Sequence, residues 1–175
     1  MRQKAVAVVG AAETTQLGVI PDMSQIQLHA DAALNAMADC GLRPKDIDGV
    51  ATAGESPVQT AHYLGITPKW VDGTSVGGCS FMIHVRHAAA AIEAGLAHTV
   101  LITHGESGRS RVGAIPRSVP PSSLQGQFEQ PYGPMGPPSL FTVPVLRYMK
   151  TYGVTEEQIA IMLTANPRRL FEQTR

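Results

Sequence analysis

Two short segments of this 175-residue chain hold the residue types that could do chemistry. In the first, Val71-Asp72-Gly73-Thr74-Ser75-Val76-Gly77-Gly78-Cys79-Ser80, a strand-like start passes through glycines into a strongly apolar run. A cysteine at the front of a helix meets the positive end of the helix dipole and the free N–H groups of the first turn, an environment that favours thiolate. Such a thiolate is the covalent nucleophile of acyl transfer. The alternative reading of Cys79 is a small residue filling space at a tight turn. In the second segment, Thr103-His104-Gly105-Glu106-Ser107, His104 closes a strand, the place where α/β folds gather their ligands. Glu106 reads as a local cap or pairing partner.

His84 and His87 stand three apart on one helical stretch, a spacing that could share a metal. No cysteine or carboxylate pair accompanies them, so packed or hydrogen-bonded histidines are the simpler reading. The chain has no GxGxxG after its first strand, no Walker lysine, no GxSxG elbow and no HExxH, which weakens dehydrogenase, NTPase, hydrolase and zinc-protease readings. Basic and acidic residues balance at 14 each, which argues against a domain that grips nucleic-acid phosphates. No apolar stretch is long enough for a membrane span. Two cysteines, Cys40 and Cys79, are too few for a secreted disulfide framework and fit a reducing compartment, so cytoplasm is expected. Met1 to Ala12 has the outline of a short signal peptide, but a buried strand ending in a glycine turn explains it better.

The elements that must position these residues alternate in type over the first hundred positions, the pattern of an α/β layer. Strands are expected at Ala5 to Val9, Ile47 to Thr52, Trp70 to Asp72 and His98 to Thr103. A helix from Ser24 to Cys40, capped by Asp22 or Ser24 and ended by Gly41, presents Ile26, Ala30, Ala33, Leu34 and Met37 to the sheet. A second helix spans Ser56 to Leu64. The third, Ser80 to Ala94, is so apolar around its circumference that it is expected to be covered on nearly every side. From Gly105 to Leu140 lie seven of thirteen prolines and six of seventeen glycines, the composition of a lid, binding loop or interface element. Helical patterning returns at Ser139 to Tyr152 and again from Thr155 to Asn166, where Pro167 interrupts it. The expected organisation is 1–104 as the α/β layer, 105–153 as loop region with helix, and 154–175 as the start of a further helical segment. Charge divides along the chain: residues 1–108 hold six basic and ten acidic side chains, residues 109–175 eight and four. A basic, glycine-rich loop beside an α/β core suits a phosphorylated ligand, and equally an ordinary solvated surface.

In order, Ala5-Val6-Ala7-Val8-Val9-Gly10 with Glu13-Thr14, Asp46-Ile47-Asp48-Gly49-Val50, Gly77-Gly78-Cys79-Ser80, Ala88 to Ala91, Ile92-Glu93-Ala94-Gly95, His104-Gly105-Glu106 and Gly153-Val154-Thr155-Glu156-Glu157-Gln158 resemble the N-terminal half of the thiolase superfamily. The likeness is to the sterol-carrier-protein-x and lipid-transfer-protein branch. It implies duplicated α/β halves in a layered α-β-α-β-α sandwich, usually dimeric, with the loop region facing coenzyme A and a nucleophilic cysteine at the front of a central helix. It implies a CoA thioester as substrate and no tightly bound cofactor. Cys79 is then the catalytic candidate, with Gly77, Gly78, Ser80 and His104 around the substrate. Counted back from Ile92-Glu93-Ala94-Gly95, however, the family's nucleophile position falls on Gly78. Three functions follow from the resemblance: an acetyl-CoA acetyltransferase-like acyltransferase of lipid metabolism, a retro-aldolase that needs no cysteine and works with an OB-fold partner, and a non-catalytic acyl-CoA- or partner-binding module.

Overall fold

The computed structural model describes residues 6–113, 120–133 and 137–163. The chain divides into two compact units, Met1–Ala114 and Ile115–Arg175.

The first unit is a parallel three-stranded sheet with helices on both faces. Helix α1 (Gln25–Cys40) starts at a capping box, in which Ser24 and Gln27 bond each other's backbone N–H, and stops at left-handed Gly41. Strand β1 (Gly49–Thr52) follows, then α2 (Pro57–Leu64), β2 (Trp70–Asp72), α3 (Ser80–Glu93) and β3 (Val100–Thr103). The order across the sheet is β2-β1-β3, every pairing parallel, with Gly49 opposite both Trp70 and Val100. All four β1 residues are buried, as a central strand covered on both faces requires. Val50 and Leu101 join Ala33 and Met37 of α1 and Ala61 of α2 in one apolar core. Parallel strands in one sheet are joined by right-handed crossovers, a rule that puts α2 (β1 to β2) and α3 (β2 back past β1 to β3) on opposite faces. Helix α3 accordingly turns Ser80, His84, Ala88 and Ala91 inward without joining that core.

Four expectations are corrected here. Val6 to Val9 form no strand, and Val8 is 80% exposed. The polar side of α1 holds the segment that follows them: the Ala11 N–H donates to Asp39, the Thr15 N–H and hydroxyl donate to Asp31, and Asn35 donates to the Glu13 carbonyl. Its backbone groups are thus partnered by side chains, not by a sheet ladder. On α1, Leu34 lies half exposed while His29, absent from the expected apolar stripe, is wholly buried. Helix α3 is not covered all round: Met82 is 72% and Val85 44% exposed, because one sheet face covers only one side of a helix. Ile47 and His98 lie just outside the strands expected to include them.

The second unit is helical. Short α4 (Leu124–Phe128) is capped by Ser123 and followed by a 3-10 turn at Gln130–Tyr132. α5 (Pro137–Tyr152) accommodates Pro144 within it, and α6 (Glu156–Leu163) begins at a Thr155–Gln158 box. The proline-rich stretch is therefore partly helical, and the expected continuation to Asn166 and Pro167 falls outside the described residues.

α1 comes close to the chain just past β3 at Gly105, where a Cβ would lie 2.5 Å from His29 N and 2.9 Å from the Leu28 carbonyl carbon. Both atoms are backbone and cannot rotate aside. Gly105→Ala is expected to cost about 1–3 kcal/mol by overpacking. Gly108→Ala, where a Cβ meets nothing within 4 Å, is expected to change stability by less than about 0.5 kcal/mol. Urea unfolding of the two variants checks the contrast, and equal midpoints would contradict it.

Candidate functional site

In a sheet ordered β2-β1-β3 the chain leaves the central strand in one direction and returns on its other side. The order reverses between β1 and β3, and the crevice at the carboxyl ends of such strands is where open α/β sheets bind ligands. His104 occupies that position. Its Nδ1–H donates to the Ala53 carbonyl at 3.1 Å, bridging the ends of the two strands. Since a carbonyl only accepts, this bond fixes the proton on Nδ1 and leaves Nε2 facing Glu106, whose Oε2 is 3.4 Å away. The Phe81 ring, in the first turn of α3, lies 4.6 Å from the His104 ring, and the buried His29 ring meets it edge-on at 5.9 Å. The Gln25 side chain covers Gly54 and Gly113 so closely that a Cβ would stand 2.7 Å from its Nε2 at the first and 2.8 Å at the second. Both glycines also have positive φ, 95° and 67°, which side chains disfavour.

The turn into α3 holds the other expected site residues. Asp72 ends β2, and its carboxylate accepts from the Thr74 N–H and hydroxyl and from His87 Nδ1 at 2.6 Å. Burial opposes its ionisation, but the Thr74 hydroxyl, the His87 ring, the Thr74 N–H and nearby His84 outweigh that and hold it at about 2. His84 Nε2 donates to the Thr74 carbonyl at 2.9 Å. The two helix histidines therefore clamp the glycine turn from the helix side, as hydrogen-bonded histidines do. Among the described residues no group of three or more His, Cys, Asp or Glu is placed to hold a metal.

Gly77 takes φ +87°, and Gly78 has open space where a Cβ would be. Ser80 is fully buried; it accepts from the Val76 N–H and donates to the Gly77 carbonyl, so its hydroxyl is used within the turn. Cys79 is the exposed N-cap of α3, its Sγ 3.9 Å from the Val76 carbonyl. The Ser80 and Met82 N–H groups bond to the Gly77 and Cys79 carbonyls, so neither is a free donor for an oxyanion. Gly77, Gly78, Cys79 and Ser80 thus share one turn, and Phe81 connects that turn to His104.

His29 was missed by sequence reasoning, although it falls at helical spacing with Ala33 and Met37 on the buried stripe of α1. Neither of its ring nitrogens has a hydrogen-bond partner. Burial, and then the neighbouring His104, lower its pKa from 6.5 to about 4. In the unfolded chain the ring protonates first as pH falls, so the unfolded state binds more protons between those values. Stability is expected to decline from pH 6.5 towards pH 4, by about 3 kcal/mol in all. His29→Leu should flatten that part of the stability–pH curve measured by urea unfolding, whereas an unchanged slope would place the titration elsewhere.

No family model matches the chain. The chain is 29% identical to the steroid side-chain-cleaving aldolase of Thermomonospora curvata, over 97% of this chain and 47% of that protein. It is 27% identical to the 17-hydroxy-3-oxo-4-pregnene-20-carboxyl-CoA lyase of Mycobacterium tuberculosis, over 94% of this chain and 44% of that one. With an acetyl-CoA acetyltransferase of Methanothermobacter thermautotrophicus the identity is 26%, over 92% and 44%. The chain thus spans a little under half the length of the curated relatives it matches. Among solved structures, the Ltp2-ChsH2(DUF35) aldolase aligns with a TM-score of 0.64 at 29% identity, covering 88% of this chain and 42% of that one. A monomeric SCP2-thiolase like protein of Mycobacterium smegmatis aligns over 54% of this chain and 22% of that one, at 30% identity and a TM-score of 0.46. In its helix-flanked parallel sheet and in its sequence similarity to an aldolase, a CoA lyase and an acetyl-CoA acetyltransferase, the chain has a thiolase-like relationship.

Proposed function

We propose that this chain is the catalytic layer, or part of it, of a thiolase-like carbon–carbon lyase that cleaves a β-hydroxyacyl-CoA thioester by retro-aldol chemistry. The observation that carries the reading is sequence similarity over nearly the whole chain to an aldolase and to a CoA lyase. The lyase's name puts a hydroxyl on the carbon next to the one bearing the thioester-linked carboxyl group, which is the bond arrangement a retro-aldol reaction requires.

The local chemistry supports the same choice over acyl transfer. A retro-aldol cleavage needs a base at the hydroxyl and an electron sink at the thioester carbonyl, and it forms no acyl-enzyme. A thiolase needs a thiolate with a base beside it. Gly78 offers no nucleophile, and among the described residues no imidazole or carboxylate is hydrogen-bonded to the Cys79 sulfur. The substrate would be a CoA thioester, with no tightly bound cofactor. A partner subunit is part of the proposal, by analogy with the Ltp2-ChsH2(DUF35) complex, as is association of two copies of this chain. Among the described residues no helix is long and apolar enough to cross a membrane, and two free cysteines suit the reducing cytoplasm in which we place the reaction.

The test is turnover of a β-hydroxyacyl-CoA by the full-length protein with its partner subunit, followed by mass spectrometry. The products expected are a ketone or aldehyde and the shortened acyl-CoA, with Cys79→Ala retaining activity to within about threefold. Loss of a true covalent nucleophile costs about a thousandfold or more, so a loss of that size in Cys79→Ala would overturn the cysteine-free mechanism, and a β-hydroxyacyl-CoA left uncleaved by the wild-type protein would overturn the lyase reading.

A further inference from the structure

Among the described residues, His29 alone has two buried side-chain polar atoms without a partner. A neutral ring tolerates such a place better than a charged one, because an imidazolium needs an acceptor or water at each nitrogen. The chain just past β3 covers this ring. A Cβ on Gly105 would stand 2.8 Å from His29 Cδ2, so the bare Gly105 backbone lies against it.

From Gly105 to Gly113 the chain forms a strap with a glycine at each end. A bridge between Ser107 and Val112 closes it into a tight turn, with Arg111 at φ 60°. At its far end Gly113 lies against the Gln25 side chain, which also covers Gly54 in the loop leaving β1, so the strap borders the crevice between β1 and β3. No residue of the strap belongs to the apolar core. Two side-chain hydrogen bonds hold it to the segment before α1: the Ser107 hydroxyl donates to the Gly18 carbonyl at 2.8 Å, and the Ile20 N–H donates to Ser110 Oγ at 2.6 Å. Water can replace both, and lifting the strap bares little apolar surface, so it opens more easily than the layer unfolds.

The groups around His29 give a cation no relief. The end of β3 contributes His104, edge-on at 5.9 Å, whose charge opposes a second one. Glu106 rides on the strap with its carboxylate 3.4 Å from His104 Nε2. On α1, Asp31 is engaged by Thr15. On α3, the uncharged Phe81 meets His104, and His84 bonds the Thr74 carbonyl. The Gly18–Ile20 segment carries no charge.

We propose that His29 and the Gly105–Gly113 strap form an acid-operated latch on the crevice between β1 and β3: neutral His29 keeps the strap seated, and its protonation lifts the strap about its terminal glycines. The latch goes beyond the lyase reading and stands without it. The seated ring has a pKa of about 4, and once the strap is raised it returns towards 6.5. The raised form therefore binds the proton first, and the seated form loses its advantage as pH falls from 6.5 to about 4, with no further change below that. The Glu106–His104 contact opposes lifting, but a half-exposed pair is worth little.

The experiment is amide hydrogen exchange of the full-length protein between about pH 7.5 and about pH 5, with rates expressed as protection factors so that the intrinsic pH dependence of exchange cancels. The Ile20 N–H reports the strap, since Ser110 is its acceptor. The Val50 N–H, in the central strand, reports unfolding of the layer. Protection at Ile20 should fall about thirtyfold over that range. Its exchange should be insensitive to low urea, whereas exchange at Val50 should quicken with urea. In His29→Leu the fall at Ile20 should shrink to less than about threefold. Protection at Ile20 that does not change with pH, or a thirtyfold fall kept in His29→Leu, would overturn the latch. Equal urea dependence at the two amides would also overturn it, since the ring would then report global unfolding alone. If His29→Leu does not fold, a histidine-labelled NMR titration of the wild-type protein decides: the latch requires a His29 ring still neutral at about pH 5, and an ordinary titration near 6.5 removes it.

Discussion

One hydrogen bond, from the His104 ring to the Ala53 carbonyl, joins the carboxyl ends of β1 and β3 at the point where the sheet reverses its order. A parallel sheet leaves its end carbonyls and the following loops without ladder partners, so something must close that edge or a ligand must occupy it. Here an imidazole closes part of it, and the geometry of the site follows from how that imidazole is held. The bond chooses the tautomer, which leaves Nε2 as the acceptor nitrogen, and Glu106 Oε2 lies 3.4 Å from it.

Holding the ring has a cost in the helix beneath it. α1 comes so near to the end of β3 that only glycine fits at position 105, and the side chain carried into that gap is His29. An imidazole buried with neither nitrogen partnered gives up hydrogen bonds to water worth about 1–3 kcal/mol. An aliphatic residue of the same shape would avoid that penalty. A site that accepts it is of the kind found where function and stability compete. At the turn into α3 the polar side chains are better engaged: Asp72 holds Thr74 and His87, and His84 Nε2 donates to the Thr74 carbonyl, although its Nδ1 is buried without a partner.

Much of the layer was legible in the residues themselves. Ser24 and Gly41 bounded α1, Trp70 to Asp72 formed the expected strand, and Cys79 did stand at the front of the apolar helix. Local rules reach that far because caps and glycine turns are local interactions. They failed where a long-range contact decided the outcome. Val6 to Val9 have the composition of a strand, but the next residues are claimed by Asp31, Asn35 and Asp39, and no pattern within the segment reveals that. The flank of α3 with Met82 and Val85 reads as buried because residue type reports the tendency to be covered, not the presence of a cover. His104 was visible as the end of a strand, but its partners Ala53, Phe81 and His29 come from three other elements, and only the fold brings them together.

Retro-aldol cleavage acts on a β-hydroxyacyl-CoA and consumes no free CoA, whereas thiolysis acts on a β-ketoacyl-CoA and consumes one CoA per bond broken. The most direct measurement is therefore the product balance for a β-hydroxyacyl-CoA incubated with the full-length protein and its partner in the absence of added CoA. The account predicts one shortened acyl-CoA and one carbonyl product per substrate, with no change when CoA is supplied. A β-hydroxyacyl-CoA left intact, with the corresponding β-ketoacyl-CoA cleaved at the expense of one CoA per bond broken, would contradict it.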